Sequence, residues 1–163
     1  MKMIYSTKSK IPSHVLSEHI YTSIQNEKIL TNRNREYIQT FLKKNCIYMA
    51  FDANNTTKPI GFIFSHEITN GIVELQSLWV DPLCRKRGIA KRLIADATQN
   101  RQKKYVTALV QPFLSSVFLE QGFKKVDIYI TPLGILLRYL LRKSLFDILN
   151  FSRKSESALY IKI

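Results

Sequence analysis

The 163-residue sequence predicts an α/β fold in a single domain, 1–163: a mixed central β-sheet flanked by helices, with an extra amphipathic helical insertion at 131–157 before the last strand. Three observations predict it. Short β-rich runs joined by tight-turn residues imply antiparallel neighbours. A strand, a basic turn and a helix then follow from 73 to 97 and lead into another strand, which implies a parallel crossover. Finally, a leucine stripe at helical spacing separates the last two strands. A chain of this length buries about two thirds of its unfolded surface as one domain.

Taken in order, Pro12-Ser13 caps a short first helix in which Leu16, Ile20 and Ile24 fall four residues apart. Thr31 or Asn32 caps a second, with Tyr37, Ile38, Phe41 and Leu42 as its apolar stripe and Asn45 at its end. Cys46 to Phe51 and Ile60 to His66 read as strands of a hairpin, joined through the polar stretch 52–59. Thr69-Asn70-Gly71 is a tight-turn signal into the central strand, Val73 to Val80, which Asp81-Pro82 stops. A helix begins at Ile89, with Leu93, Ile94 and Ala97 on one side. Tyr105 to Val110 is the crossover strand, Pro112 to Gln121 a helix ended by Gly122, and Phe123 to Ile130 a further strand. Ala158 to Ile163 closes the sheet. In the insertion, Thr131-Pro132 starts a helix whose leucines 136, 137, 140, 141, 145 and 149 share a face.

Composition narrows the class. Twenty-five Lys and Arg against twelve Asp and Glu give a net charge of +13, a field that favours phosphates, nucleic acid or an anionic membrane surface. Two cysteines, Cys46 and Cys84, make no disulfide framework, so a reducing, cytoplasmic setting is expected. Residues 1–10 lack the apolar run of a signal peptide, and no stretch reaches the ~18 apolar residues of a membrane span. No Cys or His pair has ligand spacing, so no metal is expected.

The turn from Arg85 to Ala90 carries the functional signal. A helix start displays N–H groups without intrahelical partners and the positive end of the peptide dipoles, and Gly88 lets the main chain approach a ligand closely. This is an anion site, most naturally for phosphate. Arg85-Lys86-Arg87-Gly88-Ile89-Ala90 resembles the Arg/Gln-x-x-Gly-x-Gly/Ala signature of the GNAT family of acyl-CoA N-acyltransferases. Val80-Asp81-Pro82 resembles that family's lead-in, and Phe118-Leu119-Glu120-Gln121-Gly122-Phe123 its second landmark, usually Tyr-Glu-Lys-x-Gly-Phe. The resemblance covers about 58–130 well.

The resemblance implies acetyl-CoA as donor substrate. The N–H groups of Lys86, Arg87, Gly88, Ile89 and Ala90 would cradle the pyrophosphate, with charge from Arg85, Arg87, Lys91 or Arg92. The pantetheine arm would pair with the central strand at Leu78, Trp79 and Val80, where that strand separates from the one at Tyr105. A backbone N–H near Leu78 would hold the thioester oxygen as charge develops on it. Gln111 stands where family members often have a cofactor-binding Asn. Glu74, fourteen residues before Gly88, matches the spacing of the catalytic base in histone-acetylating members, although a strand glutamate is often a cross-strand ion-pair partner. Phe118 replaces the usual cofactor-side tyrosine and cannot protonate the thiolate, which leaves Ser115, the more distant Tyr129, or water.

The leading expectation is transfer of an acetyl group to a primary amine in a ternary complex, the acceptor being a small molecule, a peptide or an aminoacyl-tRNA. The alternative is a catalytically weak CoA-binding module that docks to a membrane or protein through 133–150. For the insertion itself, a membrane-facing helix, a homodimer contact, a lid and a helix folded onto its own sheet all fit the leucine stripe.

Overall fold

The protein is described from a computed structural model covering residues 2–27, 33–107, 112–126 and 159–162. Its strands form a seven-stranded mixed sheet in the order β1-β2-β3-β4-β5-β7-β6. The first is β1 (Met3–Ser6), a short strand absent from the sequence expectation, antiparallel to β2 (Ile47–Asp52) with Met3 opposite Asp52. It is followed by α1 (Ser13–Asn26), whose Leu16, Ile20 and Ile24 are all buried, as their spacing predicts. At 14 residues this helix is longer than expected, and Pro12 rather than a serine side chain occupies its N-cap.

α2 (Arg35–Lys43) begins later than Thr31 or Asn32 would place it. Its cap is Asn34, whose side-chain oxygen accepts from the Tyr37 backbone N–H at 2.8 Å. That bond satisfies one orphan donor of the first turn, as a short polar side chain at the N-cap can. Asn45, at φ +53°, takes the left-handed conformation that ends the helix. Next, β3 (Gly61–Thr69) pairs antiparallel with β2 and runs three residues beyond the expected end. The two-residue turn Asn70-Gly71 joins it to β4 (Ile72–Val80), a connection short enough only for antiparallel neighbours.

β4 stops at Asp81, whose side chain accepts from Leu83 N at 2.9 Å and opens a single 3-10 turn, Pro82–Cys84. α3 (Ile89–Ala97) follows with the predicted boundaries. β5 (Lys104–Thr107) returns parallel to β4, with Val73 opposite Tyr105 and Glu74 opposite Val106. After α4 (Pro112–Glu120), Gly122 at φ +81° ends the helix before β6 (Lys124–Val126). The last described strand, β7 (Leu159–Lys162), does not add at the sheet edge: it lies antiparallel between β5 and β6. The insertion at 131–157, Gln111 and Tyr129 lie outside the described residues.

The described residues divide into two compact units, one from Met1–His66 and Leu75–Gln99, the other from Glu67–Glu74 and Asn100–Ile163. The first has the larger core: Leu16, Ile20 and Ile24 of α1 and Ile38 and Phe41 of α2 meet Ile47, Met49, Phe51, Phe62 and Phe64 of the sheet. Each such side chain contributes about 1.5–3 kcal/mol when fully buried. In the second, Val106 and Ile161 pack with Ile68 and Ile72, while Phe118 meets Phe123 edge-to-face at 5.2 Å. Among the described residues, no helix is long and apolar enough to cross a membrane.

Candidate acyl-donor site

In the first unit the site grows out of one strand end. Val73 and Leu75 keep the alternation of a half-buried strand, but the next apolar residue is Leu78, a phase slip of one position. The structure accommodates the slip at Ser77, which takes φ +49° inside β4. A left-handed residue in a strand re-aims the peptide groups that follow it, here those of Leu78, Trp79 and Val80. The sequence expectation missed this bend, although the break in alternation signals it. The Trp79 indole stacks on Phe62 at 5.2 Å.

The basic turn has two left-handed residues, Lys86 at φ +62° and Gly88 at φ +76°, on either side of Arg87. Conformations alternating in hand turn successive N–H groups toward one concavity, which suits an anion. Gly88 is also the N-cap of α3, which has no side-chain cap, so its first-turn donors are not satisfied that way. Nothing lies within 4 Å of where a Cβ would sit on Gly88, so its requirement for glycine is conformational. The opposite holds at Gly61: a Cβ there would stand 3.1 Å from Ile89 Cγ2, 3.2 Å from the Trp79 carbonyl oxygen and 3.3 Å from Leu93 Cδ1. The first turn of α3 therefore rests against β3 because residue 61 has no side chain.

The side chains of the turn are less uniform than the motif suggests. Arg85 Nε donates to the Val80 carbonyl at 3.0 Å, and its Nη2 pairs with the Glu27 carboxylate at the C-cap of α1. Its guanidinium ties the start of the turn to the end of β4 and to the end of α1. Arg92 holds Asp96 one helical turn on at 2.9 Å and lies over the Tyr5 ring. Lys86, Arg87, Gly88 and Lys91 are exposed, while Ile89 is buried as the anchor of α3.

The structure thus brings together Leu78 to Val80 and Arg85 to Lys91 by continuity of chain. Glu74, Ser115 and Phe118 belong to the second unit. Glu74 is only 6% exposed, and its register partner on β5 is Val106. Phe118 is buried against Phe123 and Tyr160, its ring 6.2 Å from the tyrosine's. The Ser115 hydroxyl is hydrogen-bonded to the Tyr160 hydroxyl, a phenol from β7 that the sequence expectation did not single out. Only the β5–β7–β6 pairing, with its separation of more than fifty residues between Val106 and Ile161, brings Tyr160 to α4. Among the described residues, no cluster of three His, Cys, Asp or Glu side chains could hold a metal.

A mixed α/β sheet whose fourth strand bends at Ser77, is followed by a basic turn with two left-handed residues and then by a helix without a side-chain cap is the arrangement that the acyl-CoA-dependent acyltransferase signature implied. The chain belongs to the GNAT acetyltransferase family: the model described as "Acetyltransferase (GNAT) domain" matches residues 16–137. As such it is an acetyl-CoA-dependent N-acyltransferase. Among solved structures it is similar to Rv2747 of Mycobacterium tuberculosis in complex with CoA, with 14% identity, TM-score 0.74 and 98% of each chain covered. It is also similar to N-acetylglutamate synthase of Neisseria gonorrhoeae, with 17% identity and TM-score 0.68, covering 99% of this chain and 35% of that one. A third is a chain of the NatC complex bound to a Gag peptide and CoA, with 16% identity, TM-score 0.69 and 99% and 98% covered. At these identities the likeness shows the fold. No curated protein matches the sequence significantly.

Proposed function

We propose that the protein transfers an acetyl group from acetyl-CoA directly to a primary amine held with it in a ternary complex. The observation that carries this reading is the pair of left-handed residues, Lys86 and Gly88, leading into uncapped α3. Backbone N–H groups of residues 86–90 receive the pyrophosphate, and Lys86, Arg87 and Lys91 supply positive charge around it. The pantetheine arm lies along Leu78, Trp79 and Val80, with the Leu78 N–H donating to the thioester oxygen just past the bend at Ser77.

The amine nitrogen attacks the thioester carbonyl, the new C–N bond forms and the C–S bond breaks. Glu74 removes the ammonium proton, directly or through a water. The departing thiolate takes a proton from Ser115, whose hydroxyl can be resupplied by the phenol of Tyr160; this pair stands in for the phenol that Phe118 lacks. The neighbours support the donor more than the acceptor. The Neisseria structure holds coenzyme A with N-acetyl-glutamate, the NatC structure CoA with a peptide.

The test is calorimetric titration of acetyl-CoA and free CoA into wild type and Gly88→Glu, with thiol release followed across a panel of amines. Binding that disappears in the variant, and amine-dependent thiol release by wild type, are the expected results. Absence of binding by wild type would overturn the assignment of the turn.

A further inference from the structure

Arg33 lies just ahead of α2 and belongs to no motif. Its guanidinium sits over the Tyr37 ring, 4.7 Å from the centroid, and its Nη2 donates to the Gln76 side-chain oxygen at 2.9 Å. The same oxygen accepts from the Tyr37 hydroxyl at 3.1 Å. Tyr37 is held in turn by Phe41, stacked at 4.5 Å. Among the described residues, every partner in this clamp is neutral. Arg35, Arg85 and Arg92 each have a carboxylate: Glu18, Glu27 and Asp96. Among the described residues Arg33 has none, and its Nε is buried without a hydrogen-bond partner.

A buried guanidinium N–H left unpaired is costly, and more so in a chain of net charge +13. A glutamine and an aromatic face orient the cation without neutralising it, which is the arrangement of a receptor waiting for an anion. The planar guanidinium edge matches the two oxygens of a carboxylate, and one unneutralised guanidinium balances its single charge. Gln76, which fixes the guanidinium, follows the proposed base Glu74 by two residues in the chain.

We propose that Arg33 binds a carboxylate carried by the amine acceptor, so that the acceptor is an amino acid rather than a polyamine or an aminoglycoside. This rests on the acetyl-transfer reading given above. Charge explains the choice: a free amino acid presents its anion beside its amine, whereas a polyamine would bring more positive charge to a cation that has no carboxylate partner among the described residues.

The decisive measurement is the arginine Nε–Hε region of an NMR spectrum, with the Arg33 signal identified by its loss in Arg33→Lys. The protein, with and without saturating CoA, is titrated with N-acetylglycine, N-acetyl-L-glutamate and N-acetylglycinamide. The expected result is a saturable shift of the Arg33 signal with the two carboxylates and none with the amide. An unmoved signal, or equal shifts with acid and amide, overturns the proposal. Reading the apo protein separates this outcome from a failure to bind CoA. In steady-state assays Arg33→Met is expected to raise KM for free amino acids at least tenfold with kcat within about twofold, and to leave their amides unaffected. Equal losses on acid and amide, or spermidine as the best acceptor, also overturn it.

Discussion

Arg85 and Arg33 have opposite histories. Arg85 opens the glycine signature and so reads from the sequence as a phosphate ligand, yet its guanidinium is held by Glu27 and the Val80 carbonyl. Arg33 carries no motif, yet it has a buried N–H without a partner and no carboxylate among the described residues. In the proposed function the turn binds through backbone, whose shape Lys86 and Gly88 set, while its first side chain is already paired. Beside α2 the proposal is the reverse, with the side chain itself as the binding group. A motif therefore marks where the main chain must be special, and says less about where a charge is available.

The largest expected effect breaks the backbone half of this contrast. Gly88→Glu puts a carboxylate and a strained φ at the pyrophosphate, and acetyl-CoA affinity should fall at least 100-fold, about 2.7 kcal/mol, by calorimetry. Gly88→Asn, which tolerates the left-handed region, should lose less than Gly88→Ala even though it is larger. Glu74→Gln comes next: CoA affinity is kept, while kcat falls by about 10²–10⁴ at neutral pH and by less at high pH, where the amine loses its proton unaided. A rate unchanged at neutral pH would return Glu74 to structure.

Glu27→Gln then sharpens the comparison. If Arg85 is a brace, releasing it should weaken CoA binding by about threefold or leave it unchanged, as expected for a half-exposed pair worth about 1 kcal/mol or less. Tighter binding would show that Glu27 had been restraining a ligand. Gly61→Ala forces Ile89, Leu93 and the Trp79 carbonyl to give by a few tenths of an ångström, and should lower Tm by about 3 °C in thermal melts.

The smallest effect is at Glu18. The hydrogen bond from Arg35 holds its carboxyl below the usual range, in full solvent. Because the folded-state pKa is the lower one, the pair stabilises above the ordinary carboxylate pKa, and the gain is lost as pH falls through the depressed value. Any Tm difference between wild type and Glu18→Gln at neutral pH should therefore fade in acid and in high salt.

How much of this the sequence revealed depended on the range of the interactions. The boundaries of α3 came out as predicted because Gly88, Leu93, Ile94 and Ala97 encode them locally. The Leu16, Ile20 and Ile24 stripe was legible for the same reason. The start of α2 was misplaced because Asn32 and Asn34 are equivalent cappers until one finds its backbone donor. The pairing of Arg85 with Glu27 spans 58 residues, and the hydrogen bond of Ser115 to Tyr160 spans 45. Distances of that kind depend on tertiary packing, which no local pattern records.

The placement of β7 between β5 and β6 also bears on how the protein comes to be folded. Neither neighbour pairs directly with the other, and both wait for residues 159–162, more than thirty positions beyond β6. On the ribosome, β5 and β6 emerge with bare edges that attract the wrong partners until their shared strand is made. Bringing together strands so far apart in sequence carries a closure cost before its contacts repay it, so the second unit should set the pace of folding.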